Sequence, residues 1–193
     1  QCTVDAEGKV HQPLNPDRIT SWEACGVTDD FVWTNEDLKT FQGVYQGNHH
    51  VISGALFCGS SAGLISSLEG AVVNLRMEHC ASIAKTLCQA IVVGESSGTV
   101  SNCSVSDSIV VSADTNAYTG AIVGLAKLNS VISYNTSENN RIMNDGNAAG
   151  GIVGQSDVSV RDCLVNGGDV SGEESTGGIV GTVTNSAEGL SLI

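Results

Sequence analysis

The sequence predicts an all-β fold, a β-solenoid (β-helix) of about five rungs of 27–30 residues behind an N-terminal cap. Three observations carry this. A phrase returns as Gly120-Ala-Ile-Val-Gly124, Gly150-Gly-Ile-Val-Gly154 and Gly177-Gly-Ile-Val-Gly181, with weaker copies Ala62-Gly-Leu-Ile-Ser66 and Ala90-Ile-Val-Val-Gly94. The last residues of the copies lie 28, 30, 30 and 27 positions apart. The chain of 193 residues holds 23 glycines, only 2 prolines and 4% aromatics, which suits short strands, tight turns and thin aliphatic core layers. A helical solenoid fits poorly, because the units are β-branched and lack a 3.6-residue period.

The first 45 residues do not follow the repeat; they hold both prolines and both tryptophans. They are expected to form a cap (1–45), with Thr34-Asn-Glu-Asp-Leu38 as a capped helical turn, covering the strand edge of a solenoid at 46–193. Within the units, Leu75, Cys103, Cys163 and Leu190 stand nine positions after the phrase, and Met77, Val105, Val165 and Leu192 eleven. These are inward slots. The unit after Gly124 fits with a one-residue insertion that places Tyr134 in the Cys103 slot, as a β-bulge would. Asn74, Asn102 and Asp162 form a polar column beside the apolar one, where side-chain amides can bond from rung to rung. The glycine pairs suit corners of positive φ or close backbone approach, and Ile-Val supplies a strand with one side inward.

The glycine phrases resemble GLUG repeats. The segment Phe41-Gln-Gly-Val-Tyr-Gln-Gly-Asn-His-His-Val-Ile-Ser-Gly54 resembles the lead-in that precedes such repeats, with Tyr45, Gln46 and His49 replacing its usual Phe, Asp and Gly. The resemblance covers roughly residues 35–193. It implies a secreted or surface protein, as in adhesin-like proteins and the non-catalytic parts of IgA-cleaving metalloproteases. Protease chemistry does not follow, since His11, His49, His50 and His79 lack His-Glu-x-x-His spacing.

A formal charge of -13 argues against nucleic-acid and anionic-membrane partners. No apolar run approaches the ~20 residues of a bilayer span. The start at Gln1 suggests a mature secreted chain, and seven cysteines suggest an oxidising compartment. Cys2–Cys25 is the expected staple of the cap. Cys58 and Cys88, 30 residues apart, are expected on adjacent coils within bridging distance, with Cys80–Cys88 the competing pair. Cys103 and Cys163 lie two rungs apart, roughly 9–10 Å, beyond disulfide reach, and are expected as small buried thiols.

Two sequons stand at Asn102 and Asn135. Asn102 belongs to the polar column, whereas Asn135 precedes the polar stretch Ser137–Arg141, read as a loop, and is the better glycan acceptor. The loops Asn144–Asn147 and Asp169–Glu174 lack calcium-site spacing and are read as solvated. His49 and His50 are read as turn residues. No pair of carboxylates is marked by spacing, so an enzyme on a β-helix is the least favoured class, and no metal or cofactor is called for. Leu190 and Leu192 fill slots in a fifth rung with no cap after them, an edge that invites head-to-tail stacking or a neighbouring domain of the same chain. The expectation is therefore a non-enzymatic extracellular structural subunit of a filament or surface layer. Its alternative is an adhesin that binds surface glycans or proteins.

Overall fold

The computed structural model describes residues 40–59 and 62–184, together with the short strands Thr3–Val4, Val10–His11 and Val32–Trp33. Within these residues the chain is a parallel β-solenoid of about five turns, with strands and corners and no helix. Each coil runs over five faces. Face 1 stacks Ile65–Leu68, Val93–Ser96, Val123–Ala126, Val153–Ser156 and Val180–Val183. Face 2 stacks Val44–Gln46, Ala71–Val73, Thr99–Ser101, Val131–Ser133 and Val160–Arg161. Face 3 stacks Val51–Ser53, Arg76–Glu78, Ser104–Ser106, Thr136–Glu138 and Leu164–Asn166. Face 4 stacks Val32–Trp33, Leu56–Gly59, Ala81–Ala84, Ile109–Ser112, Arg141–Asn144 and Asp169–Gly172. Face 5 holds Cys88–Gln89, Tyr118–Gly120, Ala148–Gly150 and Ser175–Gly177.

The register reproduces the repeat. Val93 pairs with Ile65 and Val123, and Val153 with Val123 and Val180. Equal inward residues therefore stack: Val72, Val100, Ile132 and Val160 on face 2, and Met77 and Val105 on face 3. All are 0–4% exposed and join one core. Stacking hides each thin layer between two others, which is how few aromatics suffice.

The glycine phrase behaves differently from expectation. Ile122, Val123, Ile152 and Val153 are all 0% exposed, so the pair does not split into an inward and an outward residue. The chain folds in between faces 5 and 1, and these two copies of the phrase lie wholly inside, whereas Ile179 of the last copy is 39% exposed. In these copies Gly124 and Gly150 serve close approach rather than positive φ: a Cβ on Gly124 would lie 2.5 Å from the Gln89 nitrogen, and one on Gly150 1.9 Å from the Val153 oxygen.

The insertion after Gly124 also differs. Between faces 1 and 2 the third coil has four residues, Lys127–Ser130, where the second has Ser97 and Gly98. The register then pairs Ser133 with Ser101, so Tyr134 stands in the Asn102 slot, and it is 62% exposed. Asn135, not Tyr134, takes the Cys103 slot. The extra residues are absorbed at a corner, with Asn129 at φ 74, instead of bulging a strand.

Part of the segment expected as a cap belongs to the solenoid sheets. Val32–Trp33 pairs parallel with Leu56–Phe57 and extends face 4 by one coil, and Val44–Gln46 opens face 2. Thr3–Val4 and Val10–His11 form a separate antiparallel pair. The expected turn at Thr34–Leu38 lies outside the described residues. Face 4 is apolar on both sides in its early coils: outside the core cluster, Leu56, Ala81, Ile83, Ile109 and Val111 are 2–4% exposed. In the later coils its outer positions become Arg141 and Asp169, paired at 3.8 Å.

Candidate functional site: corner ladders, buried amides and the last coil

Two columns of left-handed residues turn the chain between faces. Asn74, Asn102, Tyr134 and Asp162 link faces 2 and 3 with φ from 51° to 57°. Gly54, His79, Asp107, Asn139 and Gly167 link faces 3 and 4 with φ from 47° to 75°. Asn, Asp and Gly tolerate this region; a bulkier L-residue costs about 1–2 kcal/mol there. The first column was legible from Asn74, Asn102 and Asp162. The second was missed, although His79, Asp107, Asn139 and Gly167 each follow a member of the first column by five residues.

The ladder forms on the outer rim. Asn102 Nδ2 donates to Asn74 Oδ1 at 2.6 Å, and Asn74 Nδ2 donates to Gln46 Oε1 at 2.7 Å. Asn166 Nδ2 donates to Glu138 Oε1 at 3.3 Å in a parallel row.

The residue after each left-handed position turns inward, and here the third coil is unusual. Asn135 is 0% exposed; its Oδ1 accepts from the Cys103 backbone N–H at 3.0 Å and its Nδ2 donates to Val100 O at 2.9 Å. Five residues on, Asn140 accepts from Ser108 N–H at 2.9 Å and donates to Val105 O at 2.7 Å and Ser137 Oγ at 2.8 Å. Each amide spans a corner where three-residue strands leave backbone groups without ladder partners. Asn144 does likewise between faces 4 and 5, donating to Ala117 O and Ala148 O and accepting from Gly146 N–H.

These placements reverse the glycan expectation. Asn135 is fully buried with both amide ends engaged, so a glycan there is incompatible with the fold; Asn102 is exposed, with its amide in the ladder. Ser137–Arg141 is not a loop but the end of a face-3 strand, a corner and the start of a face-4 strand, with Ser137 and Asn140 buried. Asn144, spent on three backbone groups, cannot serve as a cation ligand. His49 and His50 are exposed turn residues, and His79 sits in the second corner column. Among the described residues no group of three or more His, Cys, Asp or Glu side chains is placed to hold a metal ion.

Cys80, Cys88, Cys103 and Cys163 are free thiols. The Cys58–Cys88 bridge is overturned by register: Cys58 stacks on Ile83 in face 4, whereas Cys88 lies in face 5. The competing Cys80–Cys88 pair does not form either. Cys103 and Cys163 stay apart as expected, with Asn135 between them; Asn135 N–H approaches Cys163 Sγ at 3.4 Å. Cys80 and Cys103 make weak contacts to carbonyls at their corners, as Ser108 Oγ does to Ser106 O. Cys2 and Cys25 lie outside the described residues.

Burial pushes the Cys80 thiol from 9.0 up to about 11 and the Cys88 thiol up to about 12, Glu95 adding to the latter. At pH 8 about one Cys80 in a thousand is then thiolate, so neither thiol alkylates with iodoacetamide in the native protein and both do in denaturant. These thiols ionise later in the folded than in the unfolded chain. Their contribution to stability is whole below pH 9.0 and is lost as pH rises to about 11–12. Thermal melts should fall off above pH 9 and less so for Cys80→Ser; rapid native alkylation of Cys80 would contradict this burial.

The last described coil differs from the others along the axis. Val165, Val170 and Val180 are half-buried, whereas their stacked counterparts Val105, Val110 and Val153 are 0% exposed. Leu164, Ile179 and Val183 are 58%, 39% and 39% exposed. At the opposite end Val44 and Tyr45 are 70% and 36% exposed, although Tyr45 belongs to the inward column of Val72. Leu190 and Leu192 lie outside the described residues. No family model, no curated protein and no solved structure matches this chain.

Proposed function

We propose that this chain is a non-enzymatic extracellular structural protein, a length of GLUG-like β-solenoid that serves as a subunit of a filament or surface assembly by coil-on-coil stacking. The observation that carries the reading is the last described coil, where positions that the middle coils bury are half open and an apolar layer faces along the axis. A parallel solenoid adds layers without changing its own geometry, so the natural complement of that layer is another coil, from a second copy head to tail or from a neighbouring domain. Placement outside the cell rests on the sequence and on the GLUG resemblance, not on disulfides.

Negative-stain electron microscopy of the protein from its native source tests this. Regular fibres with an axial repeat near one subunit length are expected, and Leu190→Asp with Leu192→Asp should dissolve them. Isolated monomers at every concentration would overturn the filament reading. An adhesive module is the second reading, favoured by the hydroxyls on the outer sides of faces 2 and 3, where Ser101 and Ser133 hydroxyls meet at 3.1 Å across coils.

A further inference from the structure

The sequence holds one Asn-Gly pair, Asn166-Gly167, at the corner between faces 3 and 4 of the last described coil. An asparagine amide is attacked by the backbone nitrogen that follows it when that nitrogen is uncrowded and free to move. Elsewhere the following nitrogen is fixed. The N–H groups of Cys103, Ser130, Thr136, Arg141, Asp145 and Ala148, each directly after an asparagine, donate to acceptors at 2.9–3.1 Å. The corner column is pinned in the same way. Gly54, His79, Asp107 and Asn139 N–H donate to the carbonyls of Glu78, Ser106, Glu138 and Asn166 in the next coil at 3.0–3.1 Å. Gly167, the last member, has no such acceptor among the described residues.

We infer that Asn166 is a modification site, where the chain deamidates itself by cyclising onto Gly167. Gly167 has no Cβ to crowd the approach, and both residues are exposed. Asn166 Nδ2 donates to Glu138 Oε1 at 3.3 Å on the exposed rim, a contact that water replaces as the side chain turns. The Gly167 nitrogen gives its proton to hydroxide and attacks Asn166 Cγ. The Cγ–Nδ2 bond breaks, and ammonia leaves with a proton from water, which regenerates hydroxide and closes a succinimide. Water then opens the ring. Addition at Cγ leaves aspartate; addition at the former backbone carbonyl leaves isoaspartate. Either product places a second carboxylate beside Glu138, a like-charge pair where a hydrogen bond stood. Isoaspartate also lengthens the backbone by one methylene and displaces the carbonyl that now accepts from Asn139 N–H at 3.0 Å. The last described coil therefore loosens as the protein ages. The reaction is intramolecular, so it proceeds in a monomer and does not depend on stacking at the ends.

Incubation of the full chain in neutral and mildly alkaline buffer tests the assignment, followed by denaturation and digestion with an endoproteinase that cuts before aspartate. The fragment Asp162–Gly168 carries no other asparagine. It should convert to the acid ahead of Asn102 and Asn129, faster as pH rises, with isoaspartate, which the enzyme does not cut, exceeding aspartate. Gly167→His puts the residue type of His79 at this left-handed corner and should slow conversion about tenfold by crowding the attack. The parent chain held in urea gives the unconstrained rate, and the folded chain should come within about tenfold of it. Folded-state conversion slower than that, or an unchanged rate in Gly167→His, would overturn the assignment.

Discussion

Gly154→Ala is expected to destabilise the protein by more than about 3 kcal/mol, while Gly178→Ala, in the next copy of the same phrase, leaves stability unchanged or raises it by up to ~1 kcal/mol. The two glycines look alike in sequence. A Cβ on Gly154 would sit 2.3 Å from Thr119 N and 2.7 Å from Gly124 O and Tyr118 C, all backbone atoms of strands pinned by their ladders. Nothing can give way without breaking the register of faces 1 and 5. A Cβ on Gly178 meets no atom within 4 Å, and its φ is not positive. Urea denaturation followed by circular dichroism separates the pair. Equal midpoints for the two variants would mean that the coil-to-coil approach at the phrase is looser than described.

Asn135→Ala is expected to cost about 2–5 kcal/mol, the second large effect, because it leaves Cys103 N–H and Val100 O buried without partners at about 1–3 kcal/mol each. Asn102→Gly, which keeps the left-handed corner at φ 53, removes a shorter contact, 2.6 Å to Asn74 Oδ1, yet should cost under ~1 kcal/mol, because water replaces it on the exposed rim. Asn135→Asp adds a test of sign. Its carboxylate would accept from Cys103 N–H but face the Val100 carbonyl, so the folded state prefers the protonated acid, which can donate there. The folded pKa of that acid is then raised above ~3.9, and the variant is most stable at acid pH and loses stability as pH climbs through that raised value. Thermal melts between pH 3 and 7, read against the parent at each pH, give the slope. A variant indifferent to pH would show the carboxylate reaching water.

The contrast between the two asparagines shows how far the sequence could be read. Periodicity alone predicted a parallel solenoid, the inward slots of Val105 and Val165 and the ladder from Asn102 to Asn74, because a stacked repeat turns equal spacing into equal position. It misplaced Tyr134 by one residue, and that single slip exchanged the inside and outside of Asn135. A corner insertion and a strand bulge look the same in a sequence; only the pairing of Ser133 with Ser101 separates them. The same gap undid Cys58–Cys88. One coil takes 25 residues from Cys58 to Ile83 and 32 from Thr99 to Val131, so thirty residues carry the chain from Cys58 past Ile83 to the next face, and the count alone cannot say which face a residue reaches.

Amino-acid order by itself determined the repeat length, the parallel stacking, the aliphatic core and the acidic surface, since each follows from composition and spacing summed over many residues. Tertiary structure decided which asparagine is buried, which glycine is indispensable and which face each described cysteine reaches. The reason is physical: each of those outcomes depends on the distance to the coil above or below, and a neighbour some 28–30 residues away in the chain is brought to van der Waals contact only by the register of the sheets.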